Sequence, residues 1–413
     1  MKKIIKKIAK YTLFLLIAVV ISLNLFVILS GRFYLYKGFY NTYLQGRLGP
    51  TIYDQDAFYN NTIDASEEIL PFIYHPNYNE AKIPNDFRTY VEELKTRGFI
   101  VLKGDTLLYE EYWDDHDTLT HSNSFSVAKT VVSLLVGIAV DEGHIKSLDD
   151  PVGDYLKEFD SEEKRKLTIR HLLQMASGLD WTESGKDPLS DNAESYYGSD
   201  LYGQVVSQKL IEEPGKRFNY QSGNSQLLAF IIEKATGITL SEYAEKKIWK
   251  PLQTYDVAYW SLDKKDGDEK AFCCIYSTAR DYAKIGLLLL NQGRYKGKQI
   301  IPKWYYDEMI VPGNLTTDQG VPNYRYGLHI WTYFGEVDPV YYCRGINGQY
   351  IITIPNQQLV IVRVGEGRKP IYTIPEHLKG DATYVKANDK NVGHNLGLFQ
   401  YIALGKMIAS QTK

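Results

Sequence analysis

Cysteine is scarce in this 413-residue chain: Cys273 and Cys274 are adjacent, and Cys343 is the only other one. So few exclude a disulfide scaffold, and they read as small buried residues. An excess of one charge is lacking too. The 47 basic residues are balanced by 50 acidic ones, for a formal net charge of -3. That removes any bulk electrostatic case for nucleic acid. The eight histidines are scattered and form no His-Glu-x-x-His pattern. With so few cysteines beside them, no zinc site is expected, and no organic cofactor is implied. No Gly-x-Ser-x-Gly occurs, which argues against a Ser-His-Asp hydrolase. Internal repeats and low-complexity tracts are also absent.

Long apolar runs are rare, and the single clear one lies at the N-terminus. Lys2, Lys3, Lys6, Lys7 and Lys10 precede an uncharged stretch from Tyr11 to Ser30. Twenty residues at helical rise reach about 30 Å, the thickness of the hydrocarbon core. The stretch is longer than the apolar core of a secretory signal and ends without an Ala-x-Ala site. It reads as an uncleaved single-pass anchor rather than a cleaved signal. The lysines are then cytoplasmic, and the rest of the chain lies outside. Residues 33–95 follow as an aromatic-rich linker that packs on the domain. It carries Tyr34, Tyr36, Tyr40, Tyr43 and Tyr53, broken by Gly49-Pro50 and Asn60-Asn61. The expected division is thus 1–32 for the lysine cluster and anchor, 33–95 for the linker and 96–413 for the catalytic domain.

Within that domain, 98–103 and 106–112 read as two strands joined at Gly104-Asp105, and 349–354 with 359–364 as a second hairpin. Helical sequence lies between them, and a last helix is expected over about 398–409. Strands at both ends with helices between predict an α+β fold: an antiparallel sheet flanked by helices, plus a mainly helical lobe. Leu167 to Leu179 reads as a helix with a glycine stop.

Ser-x-x-Lys occurs at Ser126, Ser161, Ser261 and Ser410. Ser161 lies in a charged segment, Ser261 reads as part of a polar turn, and Ser410 is close to the C-terminus. Only Ser126 opens a strongly apolar helix, with Val131, Val132, Leu134, Leu135 and Ile138 following. Residues three apart share a helix face, so Ser126 and Lys129 are expected to be neighbours. Burial lowers a lysine pKa, so Lys129 is the candidate base for a Ser126 nucleophile. Tyr220, in a polar turn before a helix that stops at Gly237, is the candidate proton shuttle. Gly345 and Gly348 enter the last hairpin, where a backbone N–H is expected to serve a developing oxyanion.

In this order the segments resemble the serine β-lactamase-like family of penicillin-binding proteins, class C β-lactamases and related esterases. Ser126-Val127-Ala128-Lys129 matches its nucleophile motif. Leu172-Leu173-Gln174-Met175-Ala176-Ser177-Gly178-Leu179 is similar to its Leu-Leu-x-Met-x-Ser-Gly-Leu segment. Tyr220-Gln221-Ser222 takes the Tyr-x-Asn position, and Gly345-Ile346-Asn347-Gly348-Gln349 the third position. The likeness is strongest to the branch of 6-aminohexanoate-dimer hydrolases, including Lys270-Ala271-Phe272-Cys273-Cys274 and Thr278-Ala279-Arg280-Asp281-Tyr282-Ala283. The resemblance implies a β-lactamase/transpeptidase-like fold. It also implies an acyl-enzyme on Ser126, with Lys129 and Tyr220 catalytic and Ser222, Asn347, Gly348 and Gln349 as substrate or oxyanion contacts. No lysine or histidine lies on the third strand, which argues against efficient β-lactam hydrolysis. The expected substrate is a small ester or amide. Peptidoglycan D,D-carboxypeptidase or transpeptidase activity, β-lactamase activity, and a penicillin-binding sensor without turnover are the rival readings.

Overall fold

The chain is described by a computed structural model over residues 2–335 and 337–412. Strand Thr96–Lys103 pairs antiparallel with Thr106–Tyr112, and Gln349–Ile354 with Leu359–Gly365. Leu359–Gly365 also pairs antiparallel with Thr96–Lys103, which joins the N-terminal and C-terminal hairpins into one sheet. Val340–Gly345 and Trp331–Tyr333 extend it at one edge. Ile73–Tyr74 closes the other edge in parallel with Thr106–Tyr112.

Every position of Leu359–Gly365 is buried, because helices cover both faces of the sheet. Side chains alternate across a strand, so Val360 and Ile361 point to opposite sides. Val360 meets helix Ala279–Leu290 at Gly286, where an added Cβ would fall 2.4 Å from it. Ile361 meets helix Leu396–Gln411 at Gly405, where an added Cβ would fall 2.2 Å away. The two glycines let both helices lie close to the sheet. The α+β architecture expected from the element order is therefore present.

A second sheet of Asn60–Ile63, Ala258–Ser261, Ile275–Ser277 and Ser122–Asn123 faces the helical lobe. It is the platform from which the chain enters helix Ala128–Asp141. Residues 33–95 are more deeply woven in than a linker lying on a surface: Asn60–Ile63 pairs with Ala258–Ser261, and Ile52, Phe58, Ile63 and Phe72 enter the main core.

Two local expectations need correction. The helix expected over 167–179 is only Ile169–Leu173, because Met175 and Gly178 take φ values of 56° and 73° and turn the chain. Ser261 is not in a polar turn. It ends a strand, fully buried, and its hydroxyl donates to Asn60 Oδ1. Ser410 lies in the last helix, while Lys413 of its Ser-x-x-Lys copy is outside the described residues.

Helix Lys2–Ser30 projects from this body almost wholly exposed. Its most apolar window has a mean hydropathy of 2.8, long and apolar enough to cross a membrane.

Candidate active site

Ser126 sits in a single 3₁₀ turn, Phe125–Val127, that runs into helix Ala128–Asp141. Phe125 has a φ of 44°, in a region that costs a non-glycine residue about 1–3 kcal/mol. Hydrogen bonds hold it there. Asn123 Oδ1 accepts from Phe125 N at 2.8 Å, and Ser124 N donates to Ile275 O at 2.7 Å. The Tyr282 hydroxyl donates to Ser122 O and Ile275 O, bracing the strand beneath the turn.

Lys129 is 1% exposed, and its Nζ lies 3.1 Å from Ser126 Oγ. The same nitrogen donates to Phe272 O at 2.8 Å. Burial pushes its pKa down to about 8, while the negative charge of Glu183 works the other way. A buried amine with one carbonyl partner and no carboxylate in contact readily gives up its proton. The carbonyl comes from the 270–274 segment. The Trp260 indole N–H is shared there between Lys270 O and Cys273 O, and Cys274 N donates to Asn123 Oδ1. Cys273 and Cys274 are joined to each other here, and only Cys343 is a free, buried thiol. Adjacent cysteines thus form a disulfide where simple buried thiols were expected.

Tyr220 completes the group. Its ring centroid is 5.2 Å from Lys129 Nζ, and its phenol is close enough to Ser126 for the serine to act on its pKa. Burial raises its pKa, so the phenol keeps its proton. The shortened 167–179 segment holds this loop: Asn219 N donates to Met175 O at 2.8 Å, and Gln221 Nε2 donates to Leu179 O and Trp181 O. Stacked on the tyrosine is Trp331, at 5.6 Å, and the Arg344 guanidinium lies 3.7 Å over that indole. Arg344 donates to Gly393 O. Arg368 is exposed, and its charge, like that of Arg344, acts on Tyr220.

His329 is not the base of a Ser-His pair. Its Nε2 is 2.8 Å from Ser225 Oγ and its Nδ1 2.8 Å from Leu173 O. Burial lowers its pKa to about 3, so it stays neutral. Thr130 Oγ1 donates to His329 O. The histidine therefore ties helix Ala128–Asp141 to helix Ser222–Thr236, and with them Lys129 to Tyr220.

The remaining expected contacts have other partners. Both Ser222 N and Ser222 Oγ donate to the Glu183 carboxylate at 2.8 Å. Asn347 Nδ2 donates to Pro50 O. Gly348 has a φ of 83°, and an added Cβ would lie 2.2 Å from Arg363 Nη1. Gln349 is buried, with Nε2 donating to Ile346 O and Gly365 O. The side chains of Asn347 and Gln349 are thus engaged in shaping the turn, and Gly348 makes room for Arg363. The strand end itself does approach the Ser126 turn, since a Cβ on Gly345 would be 2.5 Å from Ser124 O.

Glu183 was missed by sequence reading. It accepts from Trp181 Nε1 as well as from Ser222, capping the helix that begins there, and its charge reaches both Lys129 and Tyr220. No local pattern marks an acid in the polar loop Thr182-Glu183-Ser184. Among the described residues no group of three or more His, Cys, Asp or Glu is placed to hold a metal.

The chain is 27% identical over 307 residues to a 6-aminohexanoate-dimer hydrolase of Paenarthrobacter ureafaciens, spanning 69% of this chain and 76% of that one. It is 24% identical over 245 residues to the teichoic acid D-alanine hydrolase of Staphylococcus aureus, spanning 52% of this chain and 56% of that one. A solved structure from Bacillus anthracis, assigned provisionally as a 6-aminohexanoate-dimer hydrolase, superposes with a TM-score of 0.67 at 22% identity, covering 82% of this chain and 92% of that one. The beta-lactamase family profile matches residues 85–372, and the chain belongs to that family.

Proposed function

We propose that this protein is a membrane-anchored serine hydrolase that cleaves an ester or amide outside the cytoplasm through an acyl-Ser126 intermediate. One observation carries the reading: the Ser126 hydroxyl lies 3.1 Å from a buried lysine amine whose pKa is lowered to about 8. At neutral pH an appreciable fraction of that amine is unprotonated and able to accept a proton.

Lys129 Nζ takes the Ser126 proton as Oγ attacks the substrate carbonyl. The carbonyl electron pair moves onto oxygen, held by N–H groups at the start of the nucleophile helix and at the end of strand Val340–Gly345. Tyr220 passes a proton to the departing oxygen or nitrogen as the old bond breaks, and recovers one from the lysine. Water then attacks the serine ester and restores Ser126. Phe272 O orients the lysine throughout, and His329 keeps the two helices in register.

The relatives named for a 6-aminohexanoate dimer and for teichoic acid D-alanine support a substrate in which an amino acid is linked through its carboxyl group. Arg344 and Arg368 favour a neighbouring anionic group on the part that leaves. The third strand has no lysine or histidine between 340 and 349, which disfavours a β-lactam carboxylate. Helix Lys2–Ser30 serves as the anchor, with its lysines on the cytoplasmic side.

The test is a screen of the full chain in detergent against p-nitrophenyl esters, amino-acid amides and a fluorescent penicillin, with Ser126→Ala beside it. Turnover of an ester or amide that vanishes in the variant is expected. Turnover retained by the variant would place the nucleophile elsewhere. A persistent penicillin label without ester turnover would favour the peptidoglycan or sensor reading.

A further inference from the structure

The short helix Tyr34–Asn41 follows the long apolar helix after only three residues and folds back beside it. The Tyr36 hydroxyl donates to Asn24 Oδ1 at 2.8 Å. Asn24 lies six residues before the end of the long helix, about 9 Å along its axis. One side of the short helix is fixed to the catalytic domain. Tyr34 is 7% exposed and donates to Pro188 O, Arg32 donates to Leu189 O, and Gly38 abuts the Tyr197 ring. The other side, with the loop after it, leaves Phe33, Phe39, Tyr40, Tyr43, Leu44 and Leu48 exposed, Phe39 at 52% and Leu48 at 92%. An apolar surface continuous with a membrane-length helix, and rich in tyrosine, has the chemistry of a membrane–water interface belt.

We propose that residues 33–48 form a collar seated in the lipid headgroup layer, which holds the catalytic domain against the bilayer in one fixed orientation. The partner is the lipid surface itself. This inference rests on the reading of Lys2–Ser30 as membrane-spanning.

The collar is also joined to both sides of the catalytic group. Pro188 and Leu189 lie on the loop that follows Glu183, whose carboxylate holds Ser222 next to Tyr220. Beyond the collar, Pro50 O accepts from Asn347 of the third-strand turn, and Ile52 O accepts from Asn123 N, three residues before Ser126. A domain held this way works on acyl groups presented close to the membrane surface, and a flexible tether would let it range further out.

The experiment uses the full chain in lipid nanodiscs, with spin labels on Phe39→Cys, Tyr43→Cys and Leu48→Cys and on Val311→Cys as an exposed reference. Cys273 and Cys274 are bonded and Cys343 is buried, so unlabelled protein supplies the background. The three collar labels are expected to collide with oxygen at least threefold more, relative to a water-soluble nickel chelate, than the label at 311. Equal ratios at all four positions would overturn the proposal. In a second arm, Phe39→Ser, Tyr40→Ser and Leu44→Ser are combined, and energy transfer is read from a donor at Val311→Cys to headgroup-labelled lipid. A change of twofold or more is expected, and no change overturns it. Neither readout uses catalysis. A chain whose collar labels sit in lipid but which hydrolyses no ester or amide keeps this inference and loses the hydrolase reading. A chain that fails to float with vesicles loses the anchor and the collar together.

Discussion

The turn at Ser126 and the turn at Asn347 look alike in sequence, each a short dense cluster of residues that resembles a family motif, but the structure employs them differently. At the first, side chains face each other across a few ångströms: the hydroxyl of Ser126, the amine of Lys129 and, from another segment, the phenol of Tyr220. At the second, side chains turn away and shape backbone. Asn347 reaches Pro50, Gln349 ties Ile346 to Gly365, and Gly348 makes room for the buried Arg363 guanidinium. A helix start aims side chains one turn apart at the same point, whereas a hairpin turn sends successive side chains to opposite sides.

That contrast is sharpest if changes at the first turn act on rate and changes at the second act on stability. Ser126→Ala is expected to lower kcat for a p-nitrophenyl ester by about 10³-fold or more with the melting temperature held. Lys129→Met should approach the same loss. If the neutral Lys129 amine is the base, as proposed, kcat/KM should climb with pH and level off above about 8, the value to which burial lowers its pKa. The charge on Glu183 raises that value, so Glu183→Gln should move the rising limb to lower pH. An unmoved limb would show that another group is being titrated. Tyr220→Phe, which keeps the ring and removes the proton, is expected to cost about 10²-fold in kcat.

At the other turn, Gly348→Ala forces a side chain into a left-handed backbone against Arg363 and is expected to cost about 1–3 kcal/mol, read by chemical denaturation. The kcat per folded molecule should change far less than for Tyr220→Phe. Asn347→Ala removes one bond to Pro50 O and should cost about 1 kcal/mol with kcat within twofold. A tenfold loss of kcat in Asn347→Ala would erase the distinction between the two turns.

Much of the fold was legible because its signals are local. Short apolar and aromatic runs on either side of turn formers marked both hairpins to within two residues, and apolar residues on most faces marked the helix after Ser126 as buried. The stretch Lys270 to Cys274 stood out only by likeness, and its role, presenting Phe272 O to Lys129, became visible in three dimensions. Ser261 was misread because four residues of strand are too short to declare a period. The 167–179 segment was misread as one helix because its apolar spacing continues past Met175, where the backbone turns to hold Asn219 and Gln221.

Sequence by itself determined the pair at 126 and 129, since three residues of helix bring them together whatever surrounds them. It likewise determined the N-terminal apolar helix, whose length and composition are intrinsic. Only tertiary structure decided that Lys129 is buried enough for its pKa to fall to about 8, that Tyr220 joins it from 91 residues away, and that Glu183 caps the helix that follows Tyr220. Burial and distant charge set a pKa, and both are properties of how segments pack rather than of the order in which they are joined.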